Sequence, residues 1–139
     1  MSFLLDTNVV SEWMKPHPNP GVVAWLAEVD EDRTFLSVVT LTELRYGIER
    51  MSPGNRKKRL SEWLDEELPG RFEARILEID NAIADACGRI VASTEAMGLR
   101  IELMDGFIAA TAEVHRMTVI TRNTSHFEPA IKEVLNPWT

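Results

Sequence analysis

Four short apolar runs punctuate the chain: Phe3-Leu4-Leu5, Phe35-Leu36-Ser37-Val38-Val39, Ile76-Leu77-Glu78-Ile79 and Val119-Ile120-Thr121. Each is too short for a stable helix, and most lack the polar alternation of a strand with one wet face, so they read as strands covered on both sides. Between them, apolar residues recur at helical spacing. Val22, Trp25, Leu26 and Val29 form one such stripe, and Leu41, Leu44 and Ile48 another. Leu60, Trp63, Leu64 and Leu68 form a third, which Pro69-Gly70 is expected to end. Ile83, Ala84, Cys87, Ile90, Val91 and Met97 line a long helix that stops at Gly98, and Phe107, Ala110, Thr111 and Val114 mark a shorter one. Strand–helix alternation of this kind predicts an α/β fold whose mainly parallel sheet carries helices on both faces. Val134-Leu135 can add a short edge strand.

Parallel sheets bind ligands beyond the carboxyl ends of their strands. Asp6 ends the first run, and Asn123 closely follows the last. Two further acids, Glu43 and Asp105, also sit at the borders of apolar segments. A buried carboxylate without a partner costs several kcal/mol, so it takes up a proton or finds a cation. Three brought together repel one another, and Mg²⁺ or Mn²⁺, which favour oxygen ligands, relieve that repulsion. The pattern therefore points to a metal-dependent enzyme acting on a phosphate ester.

Each acid also has a purely local explanation. Asp6-Thr7-Asn8 are good caps for a helix over Val9–Met14. Thr40-Leu41-Thr42-Glu43 matches a capping box, in which the glutamate bonds back to the cap's own amide. Asp105 falls in a first helical turn, where the helix dipole favours an anion. Its face continues through Ala109 and Ala112 next to Gly106, small residues that let the helix approach its neighbours closely. Asn123 can ligate an ion or orient a water, whereas His126 reads first as a surface or hydrogen-bonded histidine. Asp80 is expected to cap the helix that starts near Asn81.

With 139 residues, 45% of them hydrophobic and 27% charged, residues 1–139 are expected to form a single domain. The net charge of -7 argues against a protein that simply coats nucleic acid. Locally the balance reverses: Arg45, Arg50, Arg56, Lys57, Lys58 and Arg59 face only Glu49 over that stretch. Such a run is either a solvated helix face or a surface that meets phosphate. The lone Cys87 excludes an internal disulfide and a cysteine-rich zinc site, which suits a reducing cytoplasm. The apolar start is too short for a signal peptide or a membrane span, so no membrane is expected.

Four segments, LLDTNVVSE, TLTELRYGIER, MDGFIAATA and VITRNTSHF, occur in an order and at spacings that resemble the PIN domain. More narrowly the chain looks like VapC-type toxins of bacterial toxin–antitoxin pairs, on the FitB-related branch. The resemblance runs from Phe3 to about Trp138. It implies a three-layer α/β/α fold with a sheet of four to five strands and Mg²⁺- or Mn²⁺-dependent endoribonuclease activity. Asp6, Glu43 and Asp105 carry over as catalytic, metal-holding acids, with Thr7, Asn8 and Thr121 in support. Asn123 stands where the family commonly has a fourth acid, and His126 where many relatives have Asp. The Arg45–Arg59 cluster would grip the RNA. The family further implies a cognate antitoxin that inserts a segment near the metal site, and homodimerisation. Val9, Val10, Trp13 and Met14 are candidates for such contacts, or for core packing.

Three rival readings stand beside this one. A haloacid-dehalogenase phosphatase needs a second Asp at position 8, where this chain has Asn8. DNA is a possible substrate, because acids do not distinguish sugars. A catalytically weak PIN module acting with its antitoxin as a nucleic-acid-binding regulator is the non-enzymatic alternative.

Overall fold

The computed structural model describes residues 1–139. Five strands, β1 (Phe3–Leu5), β2 (Thr34–Ser37), β3 (Ile76–Leu77), β4 (Thr118–Ile120) and β5 (Val134–Leu135), form one sheet in the order β3-β2-β1-β4-β5. Every neighbouring pair is parallel. The chain is thus an α/β fold with a five-stranded parallel sheet, and β1 lies at its centre. Val134-Leu135 is indeed an edge strand.

Adjacent residues of a strand point to opposite faces, and the core divides accordingly. Leu4 and Val119 pack with Ile83, Cys87, Ile90 and Ile108, which come from α6 (Asn81–Ala96) and α7 (Leu103–His115). Leu5, Leu36 and Ile120 pack on the other face with Val9 and Val10 of α1 (Thr7–Trp13) and Val22 of α2 (Pro20–Glu28). Leu44 and Ile48 of α3 (Val38–Glu49) complete that side with Leu68 and Phe72. Because Val9 and Val10 are wholly buried, they are core residues and cannot contact a partner.

Several boundaries differ from the periodicity. Val38-Val39 opens α3 and does not extend β2, because the Ser37 hydroxyl caps the helix by accepting the Val39 N–H at 3.1 Å. Asp6, the residue before Thr7, plays the same part for α1, so that helix begins two residues earlier than Val9. Pro69-Gly70 does not end the third stripe. Helix α4 (Asn55–Glu62) passes through a wide turn, Trp63–Glu67, in which the Leu68 N–H reaches back to the Trp63 carbonyl. Pro69 then falls in the first turn of α5 (Leu68–Phe72), where a missing N–H costs little. On α6 the buried stripe runs Ile83, Ala86, Cys87, Ile90 and Thr94, leaving Ala84 and Met97 outside. Asp80 caps this helix by accepting the Ile83 N–H at 2.9 Å.

Helices α6 and α7 make the most intimate helix pair. A β-carbon at Gly106 would stand 3.0 Å from Val91 Cγ2 and 3.2 Å from Cys87 Sγ, so this approach is closer than a larger residue meets without a shift of its neighbours. Its effect is to press the first turn of α7, and with it Asp105, against the body of the protein.

Candidate active site

At the carboxyl end of β1 the Asp6 backbone N–H bonds to the Ile120 carbonyl at 2.9 Å, which fixes Asp6 between the two central strands. Its side chain is buried, and each oxygen accepts one short hydrogen bond. Oδ1 accepts the Thr7 N–H at 2.8 Å, and Oδ2 accepts the Thr121 hydroxyl at 2.7 Å. Asn8 Nδ2 lies 3.4 Å from Oδ2 and 3.3 Å from the Thr121 hydroxyl. Asp6 is therefore a helix cap and a pocket residue at once; the local and functional explanations do not compete.

Glu43 lies in the second turn of α3 and makes no capping box, since Ser37 caps that helix and Thr40 is buried within it. Its Oε1 accepts the Thr7 hydroxyl at 2.6 Å, with the Thr40 hydroxyl 3.2 Å from that of Thr7. Asp105, in the first turn of α7, lies 3.4 Å from His126 Nδ1 through Oδ2. Asn123 precedes α8 (Thr124–Phe127) and donates its backbone N–H to the Thr121 hydroxyl at 3.0 Å, which leaves its amide side chain without a capping bond.

Asp6, Glu43, Asp105, Asn123 and His126 all line one cleft of about 440 Å³, with Thr7 and Asn8 in its wall. No lysine or arginine pairs with any of the three acids; their single ionic neighbour is His126. Burial raises the pKa of all three, and like charge adds to it: Asp105 acts on Asp6, Asp6 on Glu43, and Glu43 on Asp105. Hydrogen bonds from Thr121 and Thr7 partly offset the effect at Asp6, as does the bond from Thr7 at Glu43.

An oxygen-rich cleft whose three acids have no lysine or arginine paired to them is chemically suited to Mg²⁺ or Mn²⁺. In their present rotamers the acids do not converge as three donors on one point. An ion held there would take one or two of the carboxylates directly and reach the rest through water.

Five residues to which local pattern assigns no role also line the cleft: Ser11, Glu12, Lys15, Arg122 and Trp138. Glu12 is buried, and its pKa is lowered by the hydrogen bond from Lys15 Nζ at 2.8 Å and by the Asn19 N–H, also at 2.8 Å. An acid set among Val9, Val10 and Trp13 was the sequence signal for it. The basic run divides. Arg45 is held by Asp65, by the Ser61 hydroxyl at 2.9 Å and by Glu49 at 3.7 Å. Arg50 lies over the Tyr46 ring, and Lys57 bonds to the Glu49 carbonyl at 3.3 Å. Arg56 lines a groove that shares Lys15 and Glu43 with the acid cleft, while Lys58 and Arg59 are exposed on α4.

The PIN domain family model matches residues 3–132. Toxin FitB of Neisseria gonorrhoeae is 42% identical over 135 residues, which cover 97% of each chain. The VapC ribonuclease Y4jK of Sinorhizobium fredii is 36% identical over 97% of this chain and 96% of its own. A solved structure of FitAB bound to an IR36 DNA fragment superposes with a TM-score of 0.92, at 40% identity, over 99% of this chain and 96% of that one.

Proposed function

The chain belongs to the PIN-domain family, close to FitB and VapC toxins, and on that footing we propose that it is a metal-dependent endoribonuclease toxin. The observation that carries the reading is one cleft that gathers Asp6, Glu43 and Asp105 with no lysine or arginine paired to any of them; burial first, and like charge after it, raises their pKa values. Asp6, Asp105 and Glu43 would hold Mg²⁺ or Mn²⁺, directly or through water. A bound ion supplies charge neutralisation at the phosphodiester and a more acidic water.

The other residues act by holding these three in place. Thr121 and the Thr7 amide fix both oxygens of Asp6, so its carboxylate faces the cleft in one orientation. The Thr7 hydroxyl does the same for Glu43. Asn8 ties the end of β1 to the segment after β4, because its Oδ1 accepts the Arg122 N–H at 3.3 Å. Asn123, with a free amide at the rim, is placed to orient a water or a phosphate oxygen. Arg56, in the groove that adjoins the cleft, suits the RNA backbone, and exposed Lys58 and Arg59 on the same helix extend that charge, with Arg50 and Lys57 beside them; Arg45 is already neutralised.

The FitAB structure and the toxin and ribonuclease names of the relatives support a cognate antitoxin that restrains the enzyme. Homodimerisation and a cytoplasmic location complete the proposal; no helix is long and apolar enough to cross a membrane. A second reading, a binding module with little activity, draws on Asn123 being neutral and on the acids not converging as three donors.

The test is cleavage of total cellular RNA with Mg²⁺, with EDTA, and by the Asp6→Asn variant. Cutting that needs the metal and Asp6 supports the enzyme. Cutting that survives both EDTA and the substitution removes it. Mn²⁺ binding that Asp105→Asn abolishes, without any cutting, favours the binding module.

A further inference from the structure

Trp138 is the one apolar side chain lining the acid cleft. It is half-buried, resting against the core on the Leu5, Val9 and Val10 side. The segment that carries it is firmly seated. Asn19 Oδ1 accepts the Thr139 N–H at 3.2 Å, and the Trp138 N–H bonds to Asn136 Oδ1 at 2.9 Å. A β-carbon at Gly21 would stand 2.3 Å from the Pro137 carbonyl oxygen, so the segment lies directly on the start of α2. Asn19 in turn donates its backbone N–H to buried Glu12, which also holds Lys15. One chain of bonds therefore positions an aromatic ring and a lysine at the mouth of the cleft. Arg122 joins them, its backbone fixed by Asn8 and its guanidinium 5.8 Å from the Trp138 ring centroid. Arg122 stands farther from its ring than Arg71 does from Trp13, at 4.1 Å, and the Trp138 side chain stays partly exposed.

We propose that Trp138, Arg122 and Lys15 form a nucleotide subsite beside the acids. The Trp138 ring stacks a base of single-stranded RNA next to the bond to be cut, and the two cations take the flanking phosphates. The chemistry is that of single-strand recognition, in which an aromatic face accepts any base and basic side chains follow the backbone. A cationic rim around an anionic floor also fits the ligand: the floor needs a cation, and the flanking phosphates need positive charge. This subsite rests on the ribonuclease reading for its substrate, but its test does not depend on cleavage.

The probe is a fluorescein-labelled single-stranded RNA 12-mer of mixed sequence, compared with an abasic ribose-phosphate 12-mer, by anisotropy in EDTA. Trp138→Leu keeps apolar packing and removes the aromatic face; Trp138→Phe retains a ring. The leucine variant is expected to lose about fivefold or more in affinity for the base-bearing RNA, the lower end of base–aromatic stacking, and nothing on the abasic one. The phenylalanine variant should recover most of that loss. Arg122→Gln should weaken both probes alike and lower the salt slope by about 0.7; Lys15→Gln should weaken both alike too but lower the slope by less, because Glu12 already pairs with Lys15. An unchanged affinity of Trp138→Leu for base-bearing RNA overturns the subsite, as does an equal loss on the abasic strand or no binding by the wild type. Ring-dependent binding without any cleavage in Mg²⁺ keeps the subsite and removes the ribonuclease. Cleavage with ring-independent binding does the reverse.

Discussion

Thr7 donates its hydroxyl proton to Glu43 Oε1 across 2.6 Å, joining the first turn of α1 to the second turn of α3. Residues 36 positions apart in sequence thereby fix one carboxylate of the cleft relative to another, since the Thr7 amide also holds Asp6. Thr7→Val keeps the branched shape and deletes the donor. A hydrogen bond to a charged group contributes about 1.5–3 kcal/mol. RNA cleavage is expected to fall about tenfold to a hundredfold, with an unchanged circular dichroism spectrum and recovery in Thr7→Ser. An unaltered rate in the valine variant means Glu43 does not depend on Thr7.

The raised acids make stability depend on pH with a definite sign. Burial first, then like charge, holds Asp6, Glu43 and Asp105 above their ordinary values of 3.8, 4.5 and 3.8. Above those values the folded protein keeps protons that the unfolded chain has lost, so the metal-free protein loses stability as pH rises through the window and then levels off. Asp105→Asn removes one repelling charge and should raise the metal-free melting temperature at pH 7 by about 3 °C, equivalent to about 1 kcal/mol in a chain of this length. Mn²⁺ should stabilise the wild type and have much less effect on the variant. A melting curve that instead rises with pH across that window contradicts the repulsion.

Two glycines should respond oppositely to alanine. Gly47 lies inside α3 with nothing within 4 Å of an added β-carbon, so Gly47→Ala should stabilise by up to about 1 kcal/mol through helix propensity alone. Gly106→Ala gains the same propensity but meets the stiff Val91 at 3.0 Å, and such overpacking costs about 1–3 kcal/mol. Denaturant unfolding should therefore place Gly106→Ala at or below the wild type. Its RNA cleavage should also drop, because α7 carries Asp105. A Gly106→Ala variant as stabilised as Gly47→Ala would show that the two helices separate freely.

The basic run should act unequally in RNA binding. Arg45 is held by Asp65 and Glu49, so Arg45→Gln should leave both affinity and salt dependence nearly unchanged. Neutralising Arg56, Lys58 and Arg59 together should flatten the salt slope by about 0.7 for each phosphate these side chains grip. Equal effects from the two variants would mean that the ion pairs of Arg45 open when RNA arrives.

Much of this arrangement is legible in the sequence. The strands announce themselves because a sheet covered on both faces demands apolar runs, and Asp6 stands out because it interrupts one. Asp105 is readable through Gly106, whose cost in a helix calls for a close neighbour, found in Cys87 and Val91. Glu43 is less legible. The capping-box pattern at Thr40 is as good as a real one, and only the competing cap at Ser37 shows that α3 starts earlier. Arg45 and Arg56 look alike along the chain, but Asp65, twenty residues on, neutralises one of them. Trp138 could not be assigned from local pattern, because its position depends on Asn19 and Gly21 at the far end of the chain.

The pairing of β1 with β4 unites residues 3–5 with residues 118–120. Until that late strand has docked, Asp6 lacks the Thr121 hydroxyl, and the first forty-odd residues carry two acids with nothing to gather round. The carboxyl end of β1 therefore takes its final form only after residues 118–121 have joined the sheet.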